Sequence, residues 1–427
     1  MELLKRHKNK MIVILCTLAY FVGYISRKSF AVVMVNMINT PGVISKETAG
    51  LVGTALFIFY GVGQLISGVL GDKLPPKLLM TIGLMVSAIC NFTLPIIGNE
   101  YLMIPIWAIN GFAQALLWPP IVKILSENLS HEKYVTANLI VTCGAHLSTV
   151  LLYVLAPLCI SYMSYEAVFH SATLITIFVG IIFFILMNKL FDENTDTPQS
   201  LIKKEPTKPE TASGLNSAKK SIFSVFGSAG VFFIFFCIIA MGFMRDGIES
   251  WLPTLYCQVF GRSDEEGILV SVLLPIFSII SLFAVRTIHK AKIFNNEACG
   301  SAILFGIAIV LCIPLMFLIN STDPVARVFC LILTALVCAL MHSCNFLLIS
   351  CLPGRFASLG RSSTVGGVCN ACTYIGASIS SYGIALISNN GWSYTIIAFI
   401  AICGVGVVFA LLALKKYTAF LKESIKN

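Results

Sequence analysis

Two arginines stand inside long apolar stretches in the two parts of this chain. Arg27 lies within positions 15–35 and Arg245 within positions 222–255. A charged side chain at the centre of a bilayer costs about 3 kcal/mol on insertion scales, so it needs a compensating use. A guanidinium binds oxyanions through two parallel N–H donors. Two guanidiniums at matching depths therefore imply one central site that receives an anion. Around Arg27 the spacing is suggestive: Tyr20, Tyr24 and Arg27 fall at i, i+4 and i+7, on one face of a helix. Tyrosine hydroxyls leading to a guanidinium suit the wall of a polar pathway. The bland alternative has the tyrosines as interfacial anchors and Arg27 in a structural ion pair.

Further residues qualify this picture. Lys28 points about 80° away from Tyr20 around the helix, where it either adds positive potential or snorkels. Glu249 follows Arg245 at i+4, within contact range, while Asp246 points away by about 100°. Arg245 and Glu249 either serve the ligand together or form a structural bridge. A carboxylate beside an anion site is also a candidate proton carrier, which makes Glu249, Asp246 and His146 coupling candidates. His146 falls midway along an apolar segment, Tyr60 and Gln64 share a helical face, and Tyr374 lies midway along a late segment. His342 and Asn345 read first as packing residues.

The elements that must position these side chains follow from composition. Of 427 residues, 57% are hydrophobic and 11% charged, against about 25% charged in soluble proteins. The apolar residues come in runs of about 20, long enough to cross hydrocarbon as helix, the form that satisfies its own backbone in lipid. Twelve spans are expected, at 11–36, 48–70, 78–98, 102–125, 134–160, 166–190, 222–257, 266–286, 298–320, 326–352, 362–388 and 392–414. Positions 191–220, rich in Pro, Thr, Ser and Lys, cannot pack a core and read as a linker. The expected organisation is a six-helix half at 1–190, a cytoplasmic linker at 191–221 and a second half at 222–427. Lysine and arginine concentrate in alternate loops and at both ends, which places both termini in the cytoplasm. The net charge of +9 then reflects topology and not a nucleic-acid surface.

Several functions are excluded by what is missing. There is no phosphate-binding G-x-x-x-x-G-K-[ST] loop, no metal-ligand spacing and no soluble nucleophile–base set. No enzyme activity and no cofactor are expected. Cys369 and Cys372 form a C-x-x-C inside an apolar run and read as small buried hydrophobes. No cleavable leader is evident at the first span.

The chain resembles the organophosphate:phosphate antiporters of the major facilitator superfamily, which include glycerol-3-phosphate and hexose-phosphate transporters. The resemblance rests on Tyr20-x3-Tyr24-x2-Arg27-Lys28-x-Phe30-Ala31, Tyr60-Gly61, Gly68–Lys77, Gly111-Phe112-x-Gln114-x3-Trp118-Pro119-Pro120 and Ala145-His146. It continues through Asp196-Thr197-Pro198-Gln199-Ser200, Arg245-x-Gly247-Ile248-x2-Trp251-x-Pro253-Thr254 and Tyr374-Ile375-Gly376. It implies an all-α membrane protein of twelve helices in two pseudo-symmetric six-helix halves. It further implies exchange of an organophosphate for inorganic phosphate by alternating access, in a bacterial inner membrane and as a monomer. By the same resemblance Arg27 and Arg245 are the phosphate-binding pair, His146 the cavity histidine, and Tyr20, Tyr24, Tyr60 and Tyr374 pocket tyrosines. The chain departs from the pattern in three places: Gln64 stands where such proteins usually carry lysine, Ser250 replaces an acidic residue, and Asp246 and Glu249 are added beside Arg245. A proton-coupled carrier of another organic anion is the alternative, and a transporter-like sensor of hexose phosphate a third reading.

Overall fold

A computed structural model describes residues 8–191, 226–227, 229–291, 293–294, 296–321, 323–359 and 362–426. It is helical throughout, with no strand among the described residues. Among the described residues, fourteen α-helices build twelve crossings long and apolar enough to span a bilayer. In the first part these are α1 (Lys8–Asn39), α2 (Lys46–Lys73), α3 (Pro76–Thr93), α4 (Glu100–Ala115), α5 (Trp118–Asn128), α6 (His131–Tyr162) and α7 (Tyr165–Phe191). In the second they are α8 (Val231–Phe260), α9 (Asp264–Val270), α10 (Leu273–Lys290), α11 (Glu297–Leu318), α12 (Pro324–Asn345), α13 (Ser362–Ser388) and α14 (Trp392–Lys426). The expected linker lies outside the described residues, apart from Phe191 at the end of α7.

Local chemistry sets the ends of these helices. Ser45, Asn99, Ser263, Asn296 and Asp323 each accept a hydrogen bond from a backbone N–H of the first turn, as N-caps do. Gly230 and Gly261 bracket α8 with φ of 70° and 58°, a left-handed conformation that glycine adopts without strain. The fourth crossing is broken between α4 and α5, where Pro119 and Pro120 open the second helix, as fits proline's fixed φ. Beyond Asn345 the tenth crossing widens into one π-helical stretch, Phe346–Cys351, and then tightens into a 3₁₀ segment. The observed crossings run several residues past the sequence-predicted ends at α1 and α14, because apolar content falls off before the helical hydrogen bonding does.

What fixes the orientation of α1 is a buried polar lattice. The Ser26 carbonyl accepts from Asn91 and Asn110 Nδ2 at 2.9 and 3.4 Å, and the Ser26 hydroxyl meets Thr176 at 2.6 Å. Ser29 donates to Asn91, and Gln114 donates to the Gly23 carbonyl at 2.9 Å and to Ser87. Helices α3, α4 and α7 thus grip one face of α1. Each such bond contributes only about 0.6 kcal/mol in a membrane, but together they specify rotation. With that face committed, Tyr20, Tyr24, Arg27 and Lys28 turn to the interior cavity.

The helices before and after the linker close against each other at one end. Asn36 and Asn39 both donate to Asp264, at 3.0 and 2.7 Å, Lys46 donates to Gln258, and Asn389 donates to Glu47. Deeper along the same seam Thr54 donates to the Ser378 carbonyl and Ser381 to the Gly50 carbonyl. Within the second part, Gly376 lets α13 cross α8 closely. A Cβ there would stand 2.0 Å from the Ile239 carbonyl oxygen, which is backbone and cannot swing aside. Gly376→Ala is therefore expected to destabilise the protein by about 1–3 kcal/mol through forced separation of the two helices. Thermal unfolding in detergent should show a clear fall in midpoint, and an unchanged midpoint would refute the close-crossing argument.

Candidate functional site

Between the two groups of helices lies a cavity of 620 Å³. Its walls carry every site residue expected from sequence: Tyr20, Tyr24, Arg27 and Lys28 of α1, Tyr60 and Gln64 of α2, His146 of α6, Arg245, Asp246 and Glu249 of α8, and Tyr374 of α13. Tyr134 and Asn138 near the start of α6, Arg286 near the end of α10, and Ser350 and Gly366 also line it. These lie toward the ends opposite the sealed seam, so the cavity opens on the side of the start of α6 and the end of α10.

The charges are arranged unequally. Arg27 is 6% exposed and lies among aromatic rings, with its guanidinium carbon 4.1 Å from the Tyr60 ring centre, 5.5 Å from Tyr24, 5.7 Å from Tyr374 and 6.0 Å from Phe57. Cation–π contact of this kind holds a guanidinium flat without neutralising it. Among the described residues no carboxylate pairs with Arg27. Arg245 is otherwise: it donates through Nη2 to Asp246 at 2.6 Å and through Nη1 to Asn345 at 2.8 Å. Lys28 meets Glu249 Oε2 at 2.5 Å, and the other carboxylate oxygen lies 2.7 Å from His342 Nε2. Tyr153 donates to the Glu249 carbonyl at 3.2 Å, and His146 packs edge-on to His342 at 5.1 Å. Gln64 donates to the Tyr60 hydroxyl at 2.9 Å.

Four readings from sequence need correction. Arg245 and Glu249, spaced for mutual contact, each bind another partner. Asp246, expected to point away, reaches Arg245 because the long arginine side chain bends toward its neighbour. Lys28 does not snorkel; its amine turns inward to Glu249. His342 and Asn345, first read as packing residues, supply hydrogen bonds to Glu249 and Arg245. Tyr153 carried no sequence signal, since one tyrosine in an apolar helix looks like any other.

Glu249, Cys338 and His342 also bring ligand atoms within 4.8 Å of one another. That donor set suits a transition metal in type. Glu249 is already committed to Lys28, however, and a dication there would sit beside that ammonium. The cluster is better read as a hydrogen-bonded relay around Glu249. The C-x-x-C cysteines are buried free thiols, as expected.

The fold and the charged interior cavity define a membrane transporter of the twelve-helix type. A family profile described as Major Facilitator Superfamily matches residues 16–381, and the chain belongs to that superfamily. The relatives are consistent with the organophosphate:phosphate antiporter resemblance. A probable hexose phosphate transport protein of Chlamydia trachomatis is 28% identical over 301 residues, covering 64% of each chain. The match thus spans just under two thirds of that relative's length. The glycerol-3-phosphate transporter of Bacillus subtilis is 23% identical, over 92% of this chain and 90% of that one. Among solved structures, an inward-facing, unoccupied bacterial homologue of the human lysosomal transporter Spinster superposes with a TM-score of 0.69, at 15% identity and 98% coverage of both chains. That likeness concerns the fold.

The Lys28–Glu249 pair can be isolated energetically. Removing one partner of a buried pair costs about 3–5 kcal/mol, because the other charge is stranded, whereas removing both leaves neutral groups. Lys28→Met alone should lower stability, and Lys28→Met with Glu249→Gln should recover much of the loss. A double-mutant cycle on unfolding in detergent measures this; strictly additive losses would contradict the pair.

Proposed function

We propose that this protein exchanges a small organophosphate, such as glycerol phosphate or a sugar phosphate, for inorganic phosphate by alternating access. The observation that carries the reading is Arg27: a buried guanidinium in the cavity wall, set over tyrosine rings and with no carboxylate within ion-pair distance among the described residues. Phosphate fits such a site through charge-assisted, bidentate hydrogen bonding. Arg245, Lys28 and His146 would add donors once their present partners yield. Lys28 and Glu249 belong to different helix groups, so an anion that draws Lys28 away from Glu249 weakens a tie between them. That couples binding to relative motion of 1–190 and 222–427, through differential contacts with two states. The names of the relatives support phosphorylated substrates, and the basic loops support cytoplasmic termini with the mouth facing inward. On this reading the protein works as a monomer in the bacterial inner membrane, with no enzyme activity.

Arg27→Lys is the decisive test, because lysine keeps the charge but loses the planar fork. In proteoliposomes loaded with phosphate, uptake of labelled phosphate should fall by up to about 100-fold, the worth of a strong charged hydrogen bond. Full exchange by that variant would overturn the mechanism. The bond between His342 and Glu249 favours one second reading, a proton-coupled carrier of another organic anion. Uptake driven by a pH gradient without counter-substrate would select it over exchange.

A further inference from the structure

We infer that the cavity takes its phosphorylated ligand as a monoanion, and that Asp246 sets this preference. The inference rests on the phosphate-exchange reading above and narrows its substrate class by charge. Five charged side chains face the deep cavity: Arg27, Lys28 and Arg245 against Asp246 and Glu249. Two of the cations are already matched, Arg245 by Asp246 at 2.6 Å and Lys28 by Glu249 at 2.5 Å. The surplus is one positive charge, and it resides on Arg27. Arg286 also lines the cavity, but it stands four residues from the end of α10 and is half-buried, so solvent screens it.

A monoanion brings the deep site to neutrality. A dianion leaves one negative charge uncompensated among buried groups, and an unpaired buried charge carries a large desolvation penalty. Asp246 enters this balance most directly. It is 3% exposed, adjoins the guanidinium that a second phosphate oxygen would use, and repels any oxygen that carries extra charge. The monoanion of a phosphate monoester keeps one P–OH, which can donate to a carboxylate; the monoester dianion has no such proton. Gln64 reinforces the effect by supplying an amide, bound to Tyr60, and not a second ammonium.

The titratable groups around the ligand are many: His146 from α6, His342 from α12, Glu249 and Asp246 from α8, Lys28 and the tyrosines from α1, Tyr60 from α2 and Tyr374 from α13. A pH profile alone would mix their ionisation with that of the ligand. The test therefore holds pH fixed and varies the ligand. Three analogues of glycerol phosphate differ only at the bridging atom: the oxygen ester, the methylene phosphonate and the difluoromethylene phosphonate. The ester's second ionisation is near pH 6; the methylene group raises it and the difluoromethylene group lowers it relative to the methylene compound. Each competes with labelled phosphate exchange in proteoliposomes somewhat above neutral pH.

The methylene compound should inhibit most strongly and the difluoromethylene compound least, with roughly tenfold in inhibitory concentration per unit of second pKa. Asp246→Asn should compress or reverse this order, because the site then carries two surplus positive charges. Gln64→Lys adds the same charge from α2 and should act in the same direction, whether or not Asp246→Asn folds. Equal inhibition by all three analogues, or the reverse order in the unaltered protein, overturns monoanion selection. An order unchanged in both variants overturns the charge argument. Absence of phosphate exchange under every condition would instead overturn the transport reading itself.

Discussion

Charge balance in a low-dielectric interior is the constraint on which this structure turns. Five ionised side chains gather where an isolated charge is expensive, and four of them are arranged as two pairs. The fifth, Arg27, is stabilised by the faces of Tyr24, Phe57, Tyr60 and Tyr374, which attract a cation without cancelling it. The aromatic enclosure therefore does two things at once. It makes a guanidinium without an ion-pair partner tolerable in the cavity wall, and it leaves the charge available to an entering anion.

Placement of that guanidinium depends on contacts remote from it. The bonds from Asn91, Asn110, Gln114 and Thr176 to the opposite face of α1 determine which way Arg27 and Lys28 point. A rotation of α1 by one residue, about 100°, would carry Arg27 out of the tyrosines and part Lys28 from Glu249. The sealed end of the cavity depends on a different chemistry. Amide-to-carboxylate bonds at Asp264 and Glu47 and the close approach of Gly50 and Gly53 to Ser381 join the two groups there. The Asn39–Asp264 and Asn389–Glu47 bonds lie at exposed positions, where water can replace each partner, which makes them contacts that can open and re-form. Lys28–Glu249 lies deeper, with side chains only 10% and 15% exposed, on the wall that an entering anion would reach.

Much of this was legible in the sequence because helices in lipid leave periodic, unbroken signals. Apolar runs mark all twelve crossings, and the i, i+4, i+7 spacing of Tyr20, Tyr24 and Arg27 places them on one wall. Partnerships were not legible. Helical geometry correctly turned Lys28 away from Tyr20, yet nothing in the sequence says that Glu249, on a helix beyond the linker, occupies that direction. Spacing argued for Arg245 with Glu249 at i+4; instead Arg245 pairs with its sequence neighbour Asp246 and, across to α12, with Asn345, while tertiary packing brings Lys28 and His342 to Glu249. The linker, beyond Phe191, falls outside the described residues.

Gln64 shows how a single substitution joins these themes. Its amide holds the Tyr60 hydroxyl at 2.9 Å, and Tyr60 is the ring nearest to Arg27. A lysine at this place would supply a second mobile cation able to follow a ligand's charge. Glutamine instead fixes the ring on which the one unmatched cation rests, so it trades electrostatic reach for geometric definition. On the proposed phosphate exchange, with Asp246 holding Arg245 as well, ligand charge would be met chiefly by Arg27, and recognition would shift toward hydroxyl and amide donors around the cavity. Such donors distinguish ligands by shape and hydrogen bonding more than by charge. The same change that lowers the net charge of the site therefore makes the uncharged part of the ligand matter more.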